Sequence, residues 1–379
     1  MYNKHDISRN AFSLEGDRSR KAFQRWWHTF TGVSLQNGSH KSFYIEFFLC
    51  NPDAGKAKAV FARKKGGQEA SFLMVKAGTW GENGKQLHRF WGWNKVEVEK
   101  GYPFSISAGE CFLSESGTHG SIKVTPEEAH DNKDLISDEG EISWSLVFNK
   151  KSSLRLANSS YALMRMRSGT SWHAEGMQCD YTGEIRWNGV RYRILPKYGT
   201  GYSDVICSRR WASPHIRLSC NNIQSVSENE NKRLLDSSLC VFGGAPMGVN
   251  NAVIVALKHE GKEYLFDSFN PFTFTRCKVD CKEKRYKVSW DIEIRGIRSK
   301  MKIELSCPKN LMQKMRYSAT GGPIISRLWS GALGSGTLTL QIIGQKDIQL
   351  QLKECFCEYG VSEGRRKKVN LQDNNTTKE

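Results

Sequence analysis

Four carboxylates stand beside aromatic or apolar residues: Glu46 in SFYIEFFLC (42–50), Asp204 in GYSDV, Asp267 in YLFDSFNPF and Glu358 in CFCEYG. An apolar environment disfavours the charged form of a carboxyl and raises its pKa, so such a group can hold a proton and pass it to a weakly basic carbon. Aromatic faces can stabilise the resulting cation through their ring quadrupoles. Together the four are compatible with acid catalysis on an apolar substrate, while each alone also fits a solvated or salt-bridged carboxylate. Read as a strand, residues 42–50 place Tyr44, Glu46 and Phe48 on one face and Phe43, Ile45, Phe47 and Leu49 on the other. The expectation is that Glu46 lines an apolar cavity with Tyr44 and Phe48, as an acid or as a polar anchor for a substrate hydroxyl. An outward-facing glutamate on a half-buried strand is the alternative.

Other chemistries lack their residues. There is no G-x-S-x-G elbow, G-x-G-x-x-G fingerprint, P-loop or H-E-x-x-H pair. Eleven cysteines are spread along the chain, and neither Cys277-x-x-x-Cys281 nor Cys355-x-Cys357 has zinc-site spacing or a nearby histidine set. The nine histidines are scattered. No cofactor and no metal are expected.

The elements that must position these residues read as strands. Segments of strand length, such as KSFYIEFFLC, GEISWSLVF and GEIRWNGVRYRILP, are punctuated by Gly, Asn, Asp and Pro, with Asn-Gly pairs at 37–38, 83–84 and 188–189. HIRLSCNNI, NNAVIVALKHEGKEYLFDSF and KRYKVSWDIEIRGIRSKMKIELSCP repeat that grammar. Helical candidates are few, chiefly 308–317 and the PEEAHDN stretch opened by Pro126. The chain is therefore expected to be all-β, with a polar N-terminal segment (1–22), β-domains over 23–200 and 201–360, and a disordered basic tail (361–379). So many antiparallel strands must bury their edges by closing into barrels or curling strongly.

Fifty-six Lys and Arg against 39 Asp and Glu give a net charge of +17, which favours anionic partners. Peripheral contact with an anionic membrane surface fits that excess. Nucleic acid is the weaker expectation, because Arg186-Trp187, Arg191-Tyr192-Arg193 and Arg209-Arg210-Trp211 also describe the wet face of a sheet. The N-terminus shows no apolar signal-peptide core and no run approaches membrane-spanning length, so a cytoplasmic protein is expected. The sequence does not fix an oligomeric state.

FQRWWHTFTGV (23–33), KSFYIEFFLCNPD (41–53), GEISWSLVF (140–148), GEIRWNGVRYRILPKYGTGYSD (183–204), SPHIRLSCNNI (213–223), GKEYLFDSF (261–269) and LKECFCEYG (352–360) occur in an order that resembles the tocopherol cyclase-like family, related to carotenoid hydratases and lipocalin-like Diels-Alderases. The resemblance implies two lipocalin-like β-domains and cofactor-independent ring closure of a prenylated quinol by alkene protonation. It implies Asp204 as proton donor near the domain junction, with Trp211 and His215 in the aromatic stretch that follows. It also places Gln24-Arg25-Trp26-Trp27 where the family has a Glu-Gly-Trp-Tyr-like motif, making Trp26 and Trp27 substrate-contact candidates. The segment after Asp204, VICSRRW, lacks the family's Lys-Asn-Trp-Gly pattern. A non-catalytic binder of an apolar metabolite in the same pocket is the alternative.

Overall fold

The computed structural model describes residues 4–54, 59–60, 69–131, 137–198, 201–226, 233–244, 252–318 and 325–361. The basic tail expected from 361 lies outside them, except for Val361. The first sheet comprises β1 (Phe23–Ser34), β2 (His40–Cys50), β3 (Phe72–Thr79), β4 (Gln86–Trp91), β5 (Glu97–Glu99), β6 (Ser105–Ala108), β7 (Cys111–Ser114), β8 (Gly117–Val124), β9 (Gly140–Ser152), β10 (Thr170–Gly176), β11 (Gln178–Trp187), β12 (Val190–Ile194) and β13 (Tyr202–Ser208). Its strand order is β4-β3-β2-β1-β12-β11-β9-β8-β7-β6-β5, with β13 pairing β1 and β10.

The second sheet comprises β14 (His215–Cys220), β15 (Asn222–Ser225), β16 (Ser238–Gly244), β17 (Ala252–His259), β18 (Lys262–Asp267), β19 (Arg276–Glu283), β20 (Lys287–Arg295), β21 (Ser299–Pro308), β22 (Gln313–Ser318), β23 (Ile325–Ile342) and β24 (Ile348–Val361). Its order is β18-β17-β16-β14-β24-β23-β21-β20-β19, with β15 on β24 and β22 on β23. Both sheets are antiparallel and curl into half-barrels, the lipocalin-like double-barrel arrangement. The chain passes between sheets after Ser208; β13, although beyond residue 200, belongs to the first.

Three apolar cores follow from strand alternation. In β1 and β2, Trp26, Phe30, Phe43, Ile45 and Phe47 fill the first half-barrel. Their neighbours Phe23, Trp27, Tyr44 and Phe48 point the other way and meet Phe242, Ile254, Tyr317 and Phe356 of the second sheet. The second half-barrel has its own core around Leu218, Val255, Trp290, Ile303 and Leu352. β1 and β2 are buried on both faces along most of their length, so the polar Gln24, Arg25, His28 and Glu46 are buried together with their apolar neighbours.

Pro126–Asp131 forms the short helix its sequence suggests. The helical reading of 308–317 gives way to one tight turn followed by β22, whose backbone pairs with β23 while Met315 and Tyr317 alternate inward. A helix at Asn158–Ser168, not foreseen, ends at Gly169 in the left-handed conformation (φ 67°), where its N–H donates to Arg165 O. The N-terminal segment covers the first half-barrel through the helix Lys4–Asn10, whose Asp6 and Asn10 are buried. Among the described residues no helix is long and apolar enough to cross a membrane.

Candidate functional site between the half-barrels

Residues directly opposite on antiparallel strands share a face. Trp27 on β1 lies opposite Glu46 on β2 and Asp204 on β13; Glu46 lies opposite Lys76 on β3; Arg217 on β14 lies opposite Glu358 on β24. All six side chains are on the faces that meet between the sheets, and none is more than 1% exposed. They join Arg25, His215 and Tyr317 in one ionic layer inside aromatic packing.

Arg25 is its hub. Its Nε pairs with Glu46 Oε1 at 2.5 Å, and Nη1 and Nη2 reach Glu358 Oε2 and Oε1 at 3.1 and 2.9 Å. Nη2 also donates to Tyr317 Oη at 3.1 Å, and Tyr317 donates in turn to Glu46 Oε2 at 2.9 Å. Lys76 Nζ stands 3.5 Å from the same carboxylate. Arg217 pairs with Asp204 Oδ1 at 2.7 Å and Glu358 Oε1 at 3.0 Å. Tyr202 and the Trp172 indole donate to Asp204 Oδ2 at 2.7 and 2.9 Å. His215 Nε2 lies 3.3 Å from Glu358 Oε2. The Trp27 ring sits within reach of both guanidiniums, with centroid distances of 4.2 Å to Arg25 and 4.7 Å to Arg217.

Burial and charge set the protonation states. Burial would raise the Glu358 carboxyl, but Arg217 and Arg25 outweigh it and hold the pKa well below the ordinary carboxylate range. Burial pushes Lys76 down to about 8 against the opposing pull of Glu46. Burial also lowers His215 despite Glu358, and raises the Tyr317 and Tyr202 phenols well above 10. Glu46 accepts from Tyr317 and stands against Arg25 and Lys76 as ion-pair partners, while Asp204 accepts from Arg217, Trp172 and Tyr202.

Of the residues singled out from sequence, Glu46, Asp204, Tyr44, Phe48, Trp27, Trp211 and His215 all line this layer. Trp26 does not: adjacent residues on a strand face opposite ways, so it stacks on Phe104 in the first half-barrel and donates to Asn10 O. Glu358 joins the network; Asp267, though buried, instead accepts from Phe269 N and Asn270 N in the turn after β18. Arg25, Lys76, Arg217, Tyr202, Trp172 and Tyr317 were missed. For the three cations the sequence signal is a Lys or Arg on one face of an otherwise apolar strand, as in FLMVKAG and HIRLSC.

Three indole N–H groups in the layer, those of Trp27, Trp80 and Trp211, have no acceptor among the described residues. Trp27 and Trp80 are neighbours, with centroids 6.0 Å apart, and a cavity of about 10 Å³, the room of one water, abuts Trp80 and Phe356. Open cavities of about 370 and 340 Å³ lie elsewhere, around Asp280, Lys287 and Glu304 on the second sheet and Glu184, Arg186 and Arg191 on the first. At the latter, Trp187 and Tyr192 are buried while Arg186 and Arg191 stay exposed, so those aromatics are not presented for base stacking. Among the described residues no His, Cys, Asp and Glu side chains gather into a metal-binding group.

A second buried ionic cluster lies under the N-terminal helix. Lys150 pairs with Glu175 at 2.7 Å and Glu115 at 3.2 Å, Asn10 donates to Glu115 at 2.9 Å, and Asp6 meets His173 at 2.7 Å. Burial pushes Glu175 up to about 7, outweighing the nearby ammonium.

No family model matches the sequence, and no curated protein matches it. Among solved structures the chain is similar to a putative AttH from Nitrosomonas europaea, at 12% identity over 89% of this chain and 91% of that one, with a TM-score of 0.48. It is also similar to kievitone hydratase from Nectria haematococca, at 9% identity over 89% of each chain, with a TM-score of 0.49.

Proposed function

We propose that this chain takes a small apolar molecule bearing oxygen acceptors, a prenylated quinol or related isoprenoid, into the aromatic layer between its half-barrels, which part to admit it because the cavity beside Trp80 has the room of one water. The observation that carries this reading is the trio of buried indole donors, Trp27, Trp80 and Trp211, without acceptors among the described residues and set beside an ionic network. A buried donor left unmade costs about 1–3 kcal/mol. Oxygens of a bound ligand would offset that cost, and its hydrocarbon would pack on Tyr44, Phe48 and Phe356. Joining two sheets needs no such layer, since apolar side chains in place of buried ion pairs are often as stable or more so.

Retention of the ligand is the reading the geometry supports best. Alkene protonation needs a carboxylic acid with a proton to give, and Glu46 and Asp204 are each paired with an arginine and accept from a tyrosine. Ring closure is the second reading, favoured by Lys76, whose pKa near 8 lets its proton move close to neutral pH. In that reaction a proton adds to the alkene, the phenolic oxygen bonds to the tertiary carbon, and the phenolic proton leaves to a base such as neutral Lys76. In this reading Asp204 is the donor and Glu46 the second acid or hydroxyl anchor.

The test is anaerobic titration of a panel of prenylated quinols into wild type, Trp27→Phe, Glu46→Gln and Asp204→Asn, with folding checked and products analysed. Saturable binding without product, weakened about tenfold by losing one indole donor, is expected. Ring-closed product whose formation slows by about 10²–10⁴ in Asp204→Asn would establish the second reading. No binding across the panel overturns both.

A further inference from the structure

Away from that layer, three connections at one rim of the second half-barrel adjoin one another. Arg276, following the turn after β18, lies directly opposite Arg295; Arg295 opens the turn to β21; and Arg298 O in that turn accepts from Ile343 N in the turn after β23. Each connection exposes apolar side chains: Phe272 is 78% exposed and Phe274 71%, Ile297 73%, and Ile343 72%. Residues 268–276, 295–298 and 343–347 hold the cations Arg276, Arg295, Arg298 and Lys346 against a single carboxylate, Asp347.

The first turn is built to present its phenyl rings. Asp267 Oδ1 accepts from Phe269 N and Asn270 N, Asn270 Oδ1 accepts from Phe272 N at 3.0 Å, and Thr273 Oγ1 donates to Asp267 O at 2.6 Å. Phe274 is held at φ 52°, a left-handed conformation that bulky residues seldom adopt. Arg276 and Arg295, both exposed, sit opposite each other as like charges, which is unfavourable in isolation. Exposed phenyl rings and facing guanidiniums both work against the free protein, and one kind of partner offsets both.

We propose that this rim docks on an anionic phospholipid bilayer. Phe272, Phe274, Ile297 and Ile343 enter the interfacial region, and Arg276, Arg295, Arg298 and Lys346 meet headgroup phosphates. The interleaving of cations with apolar tips and the chain's charge of +17 supply the complementarity.

The experiment is co-sedimentation of the full chain with vesicles of phosphatidylcholine alone and of phosphatidylcholine with one-third phosphatidylglycerol, at low and high salt. Wild type is expected to bind the anionic vesicles selectively and to release in high salt. Arg276→Gln and Arg295→Gln should each weaken partitioning about fivefold. Phe272→Ser with Phe274→Asn, the latter tolerant of the left-handed backbone, should reduce it at least as much while the far-ultraviolet dichroism is unchanged. Equal binding to both vesicle types, no binding to either, or rim variants that bind like wild type would overturn the proposal. So would a self-association measured by sedimentation velocity that these variants abolish while vesicle binding persists.

Discussion

Arg25 and Glu358 lie 333 positions apart and meet in a two-pronged ion pair that joins the first strand of one half-barrel to the last strand of the other. Around them Arg25, Arg217 and Lys76 face Glu46, Asp204 and Glu358, so the cations and carboxylates match in number. A matched ionic set in an apolar layer penalises any rotation of one half-barrel against the other that would leave a charge unpaired. The network therefore fixes geometry at the candidate site, whatever its net contribution to stability.

Replacing Glu358 by Gln leaves two buried guanidiniums short of counter-charge. Removing one partner of a buried pair costs about 3–5 kcal/mol, and a loss in that range is expected from urea unfolding. The double variant Arg25→Met, Glu358→Leu should lose less than the sum of the single changes. Strict additivity would show that the two residues are not coupled.

Lys76 should leave a mark on alkaline stability. Its folded pKa, about 8, lies below the ordinary lysine value of 10.5, so between these values the unfolded chain holds a proton that the folded chain has released. Stability from this group therefore rises with pH over that window, by about 1.4 kcal/mol per pH unit, and is flat below it. Wild type and Lys76→Met, compared by urea unfolding from pH 8 upward, should differ by that slope. Parallel curves would refute the assignment.

The acids were legible in the sequence, and their partners were not. Glu46 drew attention because period-2 alternation sets it among aromatics, and the structure places it on the same face as Tyr44 and Phe48. Arg25 in AFQRWWH and Arg217 in HIRLSC look like ordinary members of a basic chain, since their counter-charges arrive from strands far along the sequence. Trp26 and Trp27 illustrate the complementary loss. Proximity in a motif suggested one shared site, but a strand sends neighbours to opposite faces. Fold class was recoverable because strand length and turn residues are local signals, whereas β22 was not, because its partner β23 overrides the helix-like composition of 308–317.

Glu175 should act in the opposite sense to Lys76. Its folded pKa, about 7, lies above the ordinary glutamate value of 4.5, so its contribution is fully present below 4.5 and is lost as pH rises through 7. Glu175→Gln, which stays neutral throughout, should flatten this decline. The quantity to measure is the difference between wild type and variant, by thermal or urea unfolding from pH 4.5 to 7.5. A difference that does not change with pH would place the Glu175 proton elsewhere in the cluster with Lys150 and Glu115.

Trp27 holds two like charges together. Arg25 and Arg217 both approach its ring and both share Glu358 Oε1, so the indole and that carboxylate oxygen jointly make their approach tolerable. A desolvated cation–π contact contributes about 2 kcal/mol or more, beyond what apolar packing alone would supply. Trp27→Leu should therefore destabilise more than Trp27→Phe, which keeps an aromatic face. The discriminating measurement is a double-mutant cycle between Trp27→Leu and Arg217→Met in urea unfolding, with a coupling energy of about 2 kcal/mol expected. A coupling near zero would mean that the ring acts only as filler. In that case Arg25 is oriented by Glu46, Glu358 and Tyr317 and Arg217 by Asp204 and Glu358, and Asp204→Asn would be the substitution that misplaces Arg217.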